Sequence, residues 1–242
     1  MLKFLLGFVV AIILIGIMAV IGGLTWLGLT PLSKYLGTGQ TDLGIKVTTA
    51  ETAAAITKVG TEIIALPAGT KNEAGFKLVG SKPASFTMDS QEISAHSNNR
   101  AWKNYPVKNV QIIIHQDGTI ESSATLIISK ALPYAMGLGY SEAQINEAMQ
   151  KYNLPPFEVP IYILGKGSVT NDQVSVNATQ VKIGGIKVPG NIVAEANNGA
   201  AAVLDNLISK NTQSFHCESL TFEAGKMIFK GKVAEKQYVI VN

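Results

Sequence analysis

One pair of neighbours in this 242-residue chain invites a nucleophile reading, His216-Cys217. Adjacent side chains on a strand point to opposite faces, so this imidazole would not easily deprotonate this thiol. A buried cysteine beside a surface histidine, or the reverse, is the plainer expectation. Asp117-Gly118 offers a carboxylate, but between two apolar runs it reads as a hairpin tip. Gly165-Lys166-Gly167-Ser168 carries the lysine of a phosphate loop. Pro160 stands where that loop needs its first glycine, Gly167 replaces the hydroxyl residue after the lysine, and the segment joins two strands instead of opening a helix. Asn177-Ala178-Thr179 is a glycosylation sequon inside an expected strand and is treated as chance. His96, His115 and His216 are far apart, with no H-E-x-x-H or C-x-x-C near them, so neither a metal site nor a cofactor is expected. These residues point away from an enzyme; a hydrolase would need one of the histidines to meet an acid or nucleophile in space.

Charge narrows the partners. With 20 basic and 17 acidic residues the formal net charge is +3, and no basic stripe of the kind nucleic acid requires is present. Cys217 is the sole cysteine, so no internal disulfide forms and the fold must rest on its core.

The elements follow from caps and periodicity. Thr48-Thr49-Ala50-Glu51 has the capping-box form, and the Ala-rich stretch to Val59 is helical, closed by Gly60. Glu62–Leu66 reads as a strand, and Ala68–Lys82 as a loop with a short strand at Phe76–Val79. Thr87 is the candidate cap of a helix from Met88. Val107–His115 and Thr119–Ile128 flank Gln116-Asp117-Gly118 as the clearest hairpin. Ser141-Glu142-Ala143-Gln144 is a second capping box, opening a helix that ends near Tyr152. Val159–Leu164, with Val169, and Val174–Ile183 form another antiparallel pair.

The most regular amphipathic helix follows Pro189-Gly190. Ile192, Val193, Ala196, Ala200, Val203, Leu204, Leu207 and Ile208 recur at three- and four-residue spacing. Such a stripe is ordinarily core; part of it could instead line an apolar ligand cavity, for which the candidate residues are Ile192 to Leu207 of this set. Phe215–Phe222, Lys226–Val233 and Gln237–Val241 close the chain as strands. A helix followed by a strand, a Gly turn and a strand thus occurs twice, at about residues 85–130 and 190–235. This grouping indicates α+β.

Phe4–Leu29 holds no ionisable side chain. Its 26 residues would reach ~39 Å as a helix, more than the ~30 Å hydrocarbon core. Phe4, Leu14, Trp26 and Leu29 mark its length, with Trp26 suited to the headgroup region. The run is about twice as long as a signal-peptide core and lacks a good cleavage site. No N-terminal cysteine makes it a lipoprotein, and Ile12 stands where a type IV pilin stem carries Glu. The expectation is a transmembrane signal anchor over residues 1–30, a linker over 31–40, and an exported domain over 41–242. The slightly more positive N-terminal side favours a cytoplasmic N-terminus and an extracytoplasmic C-terminal domain.

Val181-Lys182-Ile183-Gly184-Gly185-Ile186-Lys187-Val188-Pro189 runs into the long helix, and Ser219-Leu220-Thr221-Phe222-Glu223-Ala224-Gly225-Lys226-Met227-Ile228-Phe229-Lys230-Gly231 follows it. This pattern, with Asn109–Ile120 as an earlier copy of its hairpin, resembles small membrane-anchored bacterial envelope proteins of the YpmS-like and LmeA-like kind. The resemblance covers roughly residues 85–235. Ala224 departs from it, since an Asp often precedes the Gly, and residues 41–84 have no counterpart. It implies a TULIP or AsmA-type fold, with a curved antiparallel sheet wrapping one or two long amphipathic helices around an apolar cavity, preceded here by one transmembrane helix. The function implied is a non-enzymatic envelope protein that binds or shields an apolar chain, with membrane lipid as partner. The alternative is a structural component of a surface assembly, acting through protein contacts or as a homo-oligomer.

Overall fold

The computed structural model describes residues 39–138, 143 and 158–241. The apolar run with Phe4, Leu14, Trp26 and Leu29 lies outside the described residues, as does all but Ala143 of the helix expected from Ser141. Helix α1 (Thr49–Val59) has the expected capping box at Thr48 and Glu51, and Gly60 closes it in the left-handed conformation. Strands β1 (Glu62–Ala65) and β2 (Phe76–Val79) also form where expected. Strand β3 (Lys82–Met88) was not anticipated. Thr87 belongs to it, and the cap of α2 (Ser90–Asn98) is Asp89, whose carboxylate accepts from Glu92 N at 2.9 Å.

Strands β4 (Val107–Ile114) and β5 (Ile120–Ile127) make the Asp117-Gly118 hairpin. Helix α3 (Ile128–Gly137) follows directly. Strand β6 (Glu158–Thr170) pairs with β7 (Gln173–Ile183), with short β8 (Ile186–Lys187) next. The Gly165–Ser168 segment is inside β6, not between strands; the turn lies at Asn171-Asp172, both at positive φ. Helix α4 (Gly190–Ser209), β9 (His216–Glu223), β10 (Lys226–Val233) and β11 (Lys236–Val239) complete the chain.

The expected α+β class, with a mostly antiparallel sheet, is what forms, but the wrapped arrangement is not. Eight strands make one open sheet, with a path β3-β10-β9-β6-β5-β4 and with β7 and β8 branching from β6. Gly165 pairs with Ile120 on one edge of β6 and Ala178 on the other, while Val169 pairs with Leu220 of β9 on the β5 side. A separate sheet of order β1-β11-β2 has β1 parallel to β11. Nor does a described helix supply the membrane-spanning element, because none is long and apolar enough to cross.

The helices seal strand edges instead of lying inside a curl. Ser90, Ser94 and Asn98 recur every four residues along α2 and meet alternate residues of β4. Ser90 Oγ accepts from Ile114 N at 3.0 Å and Ser94 Oγ from Ile112 N at 2.9 Å. The Asn98 amide accepts from Val110 N at 2.8 Å and donates to Val110 O at 2.7 Å. Four helical residues rise ~6 Å and two strand residues ~6.7 Å, so one polar stripe can follow a strand edge. On α4, Asn197 accepts from Ala178 N at 3.0 Å and donates to Ala178 O at 3.1 Å, while Asp205 accepts from Val174 N at 3.0 Å. Unpaired strand groups are satisfied this way without closing the sheet. The core between these layers includes Phe215, Phe229, Met88, Ile93, Ile112 and Leu126, all fully buried.

Candidate ligand-binding site

The residues singled out in the sequence do not converge. Ile192, Val193, Ala196, Ala200, Leu204 and Leu207 are buried core on α4, and the side chain of Val203 lies outside the described residues. Asn177 is within β7 and Asp117 is at its hairpin tip, where its carboxylate accepts from Thr119 N at 2.9 Å. Cys217 is completely buried, and burial, with Asp172 adding to it, pushes its thiol up to about 12. Its neighbour His216 points outward, with Nδ1 at 2.6 Å from Asp172 Oδ2. His115 lies 3.2 Å from Glu121 Oε2. Both exposed histidines therefore meet an acid, but neither pair borders a described cavity. Among the described residues no three His, Cys, Asp or Glu side chains gather as metal ligands.

The third histidine, His96, leads to a different site. A cavity of about 200 Å³ lies between α1, the C-terminal end of α2, the following loop and the central strand of the small sheet. Ile56 and Val59 contribute from α1, His96 from the last turn of α2, Arg100, Trp102 and Tyr105 from the loop, and Gln237 and Val239 from β11. Ile56 and Ile63 are 45% and 41% exposed, which marks the mouth.

Local structure fixes these walls. Lys58 near the end of α1 pairs with Glu92 at 2.6 Å and donates to Thr87 O at 2.9 Å, binding α1 to α2. The loop is tied to the last strand by Lys103 N donating to Ile240 O at 2.8 Å. Trp102 stacks between Phe76, at 5.0 Å between ring centroids, and Tyr134 of α3, at 4.8 Å. Gly137 faces the Trp102 ring so closely that any Cβ there would push into it.

The polar groups of this region are mostly unsatisfied. Arg100 Nη1 lies 3.3 Å from His96 Nε2. An arginine only donates, so Nε2 accepts and the proton of a neutral ring sits on Nδ1. Among the described residues that Nδ1–H has no partner, and neither do Arg100 Nε and Nη2, Trp102 Nε1, the hydroxyls of Tyr105 and Tyr134, or Gln237 Oε1. His96, Trp102, Tyr105, Tyr134 and Gln237 are all nearly fully buried. Burial holds the His96 imidazolium well below the usual histidine range, and the Arg100 charge adds to this. Burial pushes the Tyr105 phenol up, partly offset by the Arg100 guanidinium, whose charge and nearness to the hydroxyl both lower it, although no pair of atoms between them has full hydrogen-bond geometry. Buried polar groups are normally paired, so a cluster this large needs an explanation.

Sequence reading missed this site because its parts are scattered over residues 56 to 239 and none belongs to a motif. Arg100 as the chain's single arginine was the one available signal. No family model, curated protein or solved structure matches the chain.

Proposed function

We propose that this chain is a membrane-tethered binding protein that takes the apolar end of a small molecule into the cavity beside α1. The observation that carries this reading is an apolar-walled cavity of about 200 Å³ whose mouth is lined by exposed isoleucines, Ile56 and Ile63. Ligand pockets are concave, mostly apolar and furnished with a few polar groups, and this one has that character. At ~30 Å³ for each water-sized group it holds about seven such groups, the end of one chain and not a two-chain lipid. The Phe4–Leu29 run supports a tether. Folded structure begins within about ten residues of it: Gln40 Nε2 donates to Asn109 O at 2.6 Å and Ser123 Oγ to Thr41 O at 2.5 Å. A domain held so close to the run would work at the membrane surface.

Trp102 in the cavity wall and Trp26 in the run are the two tryptophans, so Trp26→Phe leaves one reporter at the site. Full-length Trp26→Phe protein in lipid nanodiscs should show a saturable change in Trp102 emission on titration with octanol. Val59→Phe, which fills the cavity, should remove the change. A response that never saturates, or one indifferent to Val59→Phe, would contradict the reading.

A further inference from the structure

We infer that the ligand is a single-chain amphiphile with an oxyanion head, carboxylate or phosphate, which the Arg100 guanidinium receives at the polar side of the cavity. This rests on the cavity beside α1 being a ligand site and adds the chemical class of the ligand. Arg100 brings an unpaired charge to the cavity wall. Arg100 Nε and Nη2 are buried without partners, and no ion pair involving Arg100 occurs among the described residues. A guanidinium presents a rigid fork of donors that matches carboxylate and phosphate oxygens, and a buried charge is normally paired.

The unsatisfied groups around Arg100 are mostly donors. Of the unsatisfied groups, His96 Nδ1–H, Arg100 Nε–H and Nη2–H, and Trp102 Nε1–H can only donate, and the Tyr105 hydroxyl can do so. Gln237 Oε1 is the one obligate acceptor in the cluster. A neutral alcohol head brings one donor and few acceptors to such a surface. An oxyanion brings two or three acceptor atoms and no required donor, the complement of this set, which lies just behind the cavity wall, closed to water, and is reached by a small shift of side chains. A neutral imidazole leaves the Arg100 charge as the attractor and its own Nδ1–H as an additional donor. The apolar side chains of the same cavity fit the other half of an amphiphile, since Val59 and Val239 are buried walls and Ile56 and Ile63 line the mouth.

The test compares heads on one chain. Full-length Trp26→Phe protein in nanodiscs is titrated at pH 7 with octanol, octanoate, octyl phosphate, acetate and inorganic phosphate, with Trp102 emission as the readout. Octanoate or octyl phosphate should bind about ten-fold or more tightly than octanol, the scale of a charge-assisted bond. Whichever of the two is preferred identifies the head as carboxylate or phosphate. In Arg100→Met the ratio of octanoate to octanol affinity should fall to about one, whereas Arg100→Lys should retain part of it; circular dichroism checks that both fold. Equal binding of octanol and both anions by the parent protein overturns the oxyanion head while the apolar-cavity reading stands. No binding of any octyl compound overturns both. Acetate or phosphate alone binding as tightly as the octyl anions overturns the amphiphile class, leaving a free-anion site.

Discussion

At the residue scale, Arg100 and His96 set the electrostatics of the recess. A half-buried guanidinium, with two of its nitrogens fully buried beside an uncharged imidazole and no carboxylate paired to it among the described residues, lowers stability when the site is empty. Arg100→Met should therefore raise the stability of the ligand-free protein by about 1 kcal/mol or more, seen as a higher midpoint in urea. A lower midpoint would show that Arg100 is structural. His96 makes a pH prediction whose sign is fixed by burial. An unfolded histidine binds its proton near pH 6.5, whereas the folded protein holds that pKa well below this value. The unfolded chain thus binds the proton first as pH falls, so the contribution is neutral above pH 6.5 and increasingly destabilising below it. Thermal midpoints should drop between about pH 6.5 and 5, and His96→Gln should flatten that drop. Cys217 gives the opposite kind of expectation, inertness. A buried thiol with its pKa pushed up to about 12 should not react with a thiol-specific reagent at pH 8 until denaturant is added. That Cys217 and His216 face opposite sides was legible from strand alternation, but which of the two is buried was not. The His96–Arg100 contact was not, because a four-residue spacing at a helix end says nothing about what surrounds it.

Turn chemistry and edge sealing belong to the scale of the element. Ala224 and Gly225 both have positive φ between β9 and β10, the geometry of a type I′ turn. Alanine is costly there and asparagine is not, so Ala224→Asn should stabilise the protein by about 0.5–1 kcal/mol in chemical denaturation. The departure of Ala224 from the expected Asp-Gly pattern was visible in the sequence; its strain became visible only with the dihedral. The edge-sealing helices give a second prediction. Asn98→Ala removes an acceptor and a donor from Val110, leaving both backbone groups of an edge residue unpaired, and should cost about 1–3 kcal/mol. A cost within a few tenths of a kcal/mol would mean that water replaces the amide. Caps, the Asp-Gly hairpin and the 20-residue α4 were readable because each depends on neighbours in sequence. Strand β3 was not, since Lys82–Met88 has only weak alternation and gains its place by pairing with β10 from Met227 to Val233. Helix α3 was hidden by Pro133 at its middle. The polar stripe Ser90, Ser94 and Asn98 was present in the sequence, but without a known partner strand it reads as a solvated helix face.

At the scale of the molecule, two sheets and their sealing helices leave an amphiphilic recess beside α1. The expected wrapped sheet would have put a ligand against α4. The open sheet instead buries the α4 stripe as core and leaves a recess where α1, the end of α2 and β11 meet. Residues 41–84, which had no counterpart in the resembled pattern, supply α1 and β1 and hence much of that recess. The difference was beyond sequence reading because it depends on which edges pair: β1 joins β11 across more than 170 residues of chain. Methyl NMR of the full-length protein in nanodiscs during titration with octanoate reads occupancy of the recess residue by residue. Saturable shifts are expected in the methyls of Ile56, Val59, Ile63 and Val239, with those of Ile192, Leu204 and Leu207 on α4 unmoved. Shifts confined to α4, or no saturable shift at the four cavity residues, would contradict a ligand in the recess.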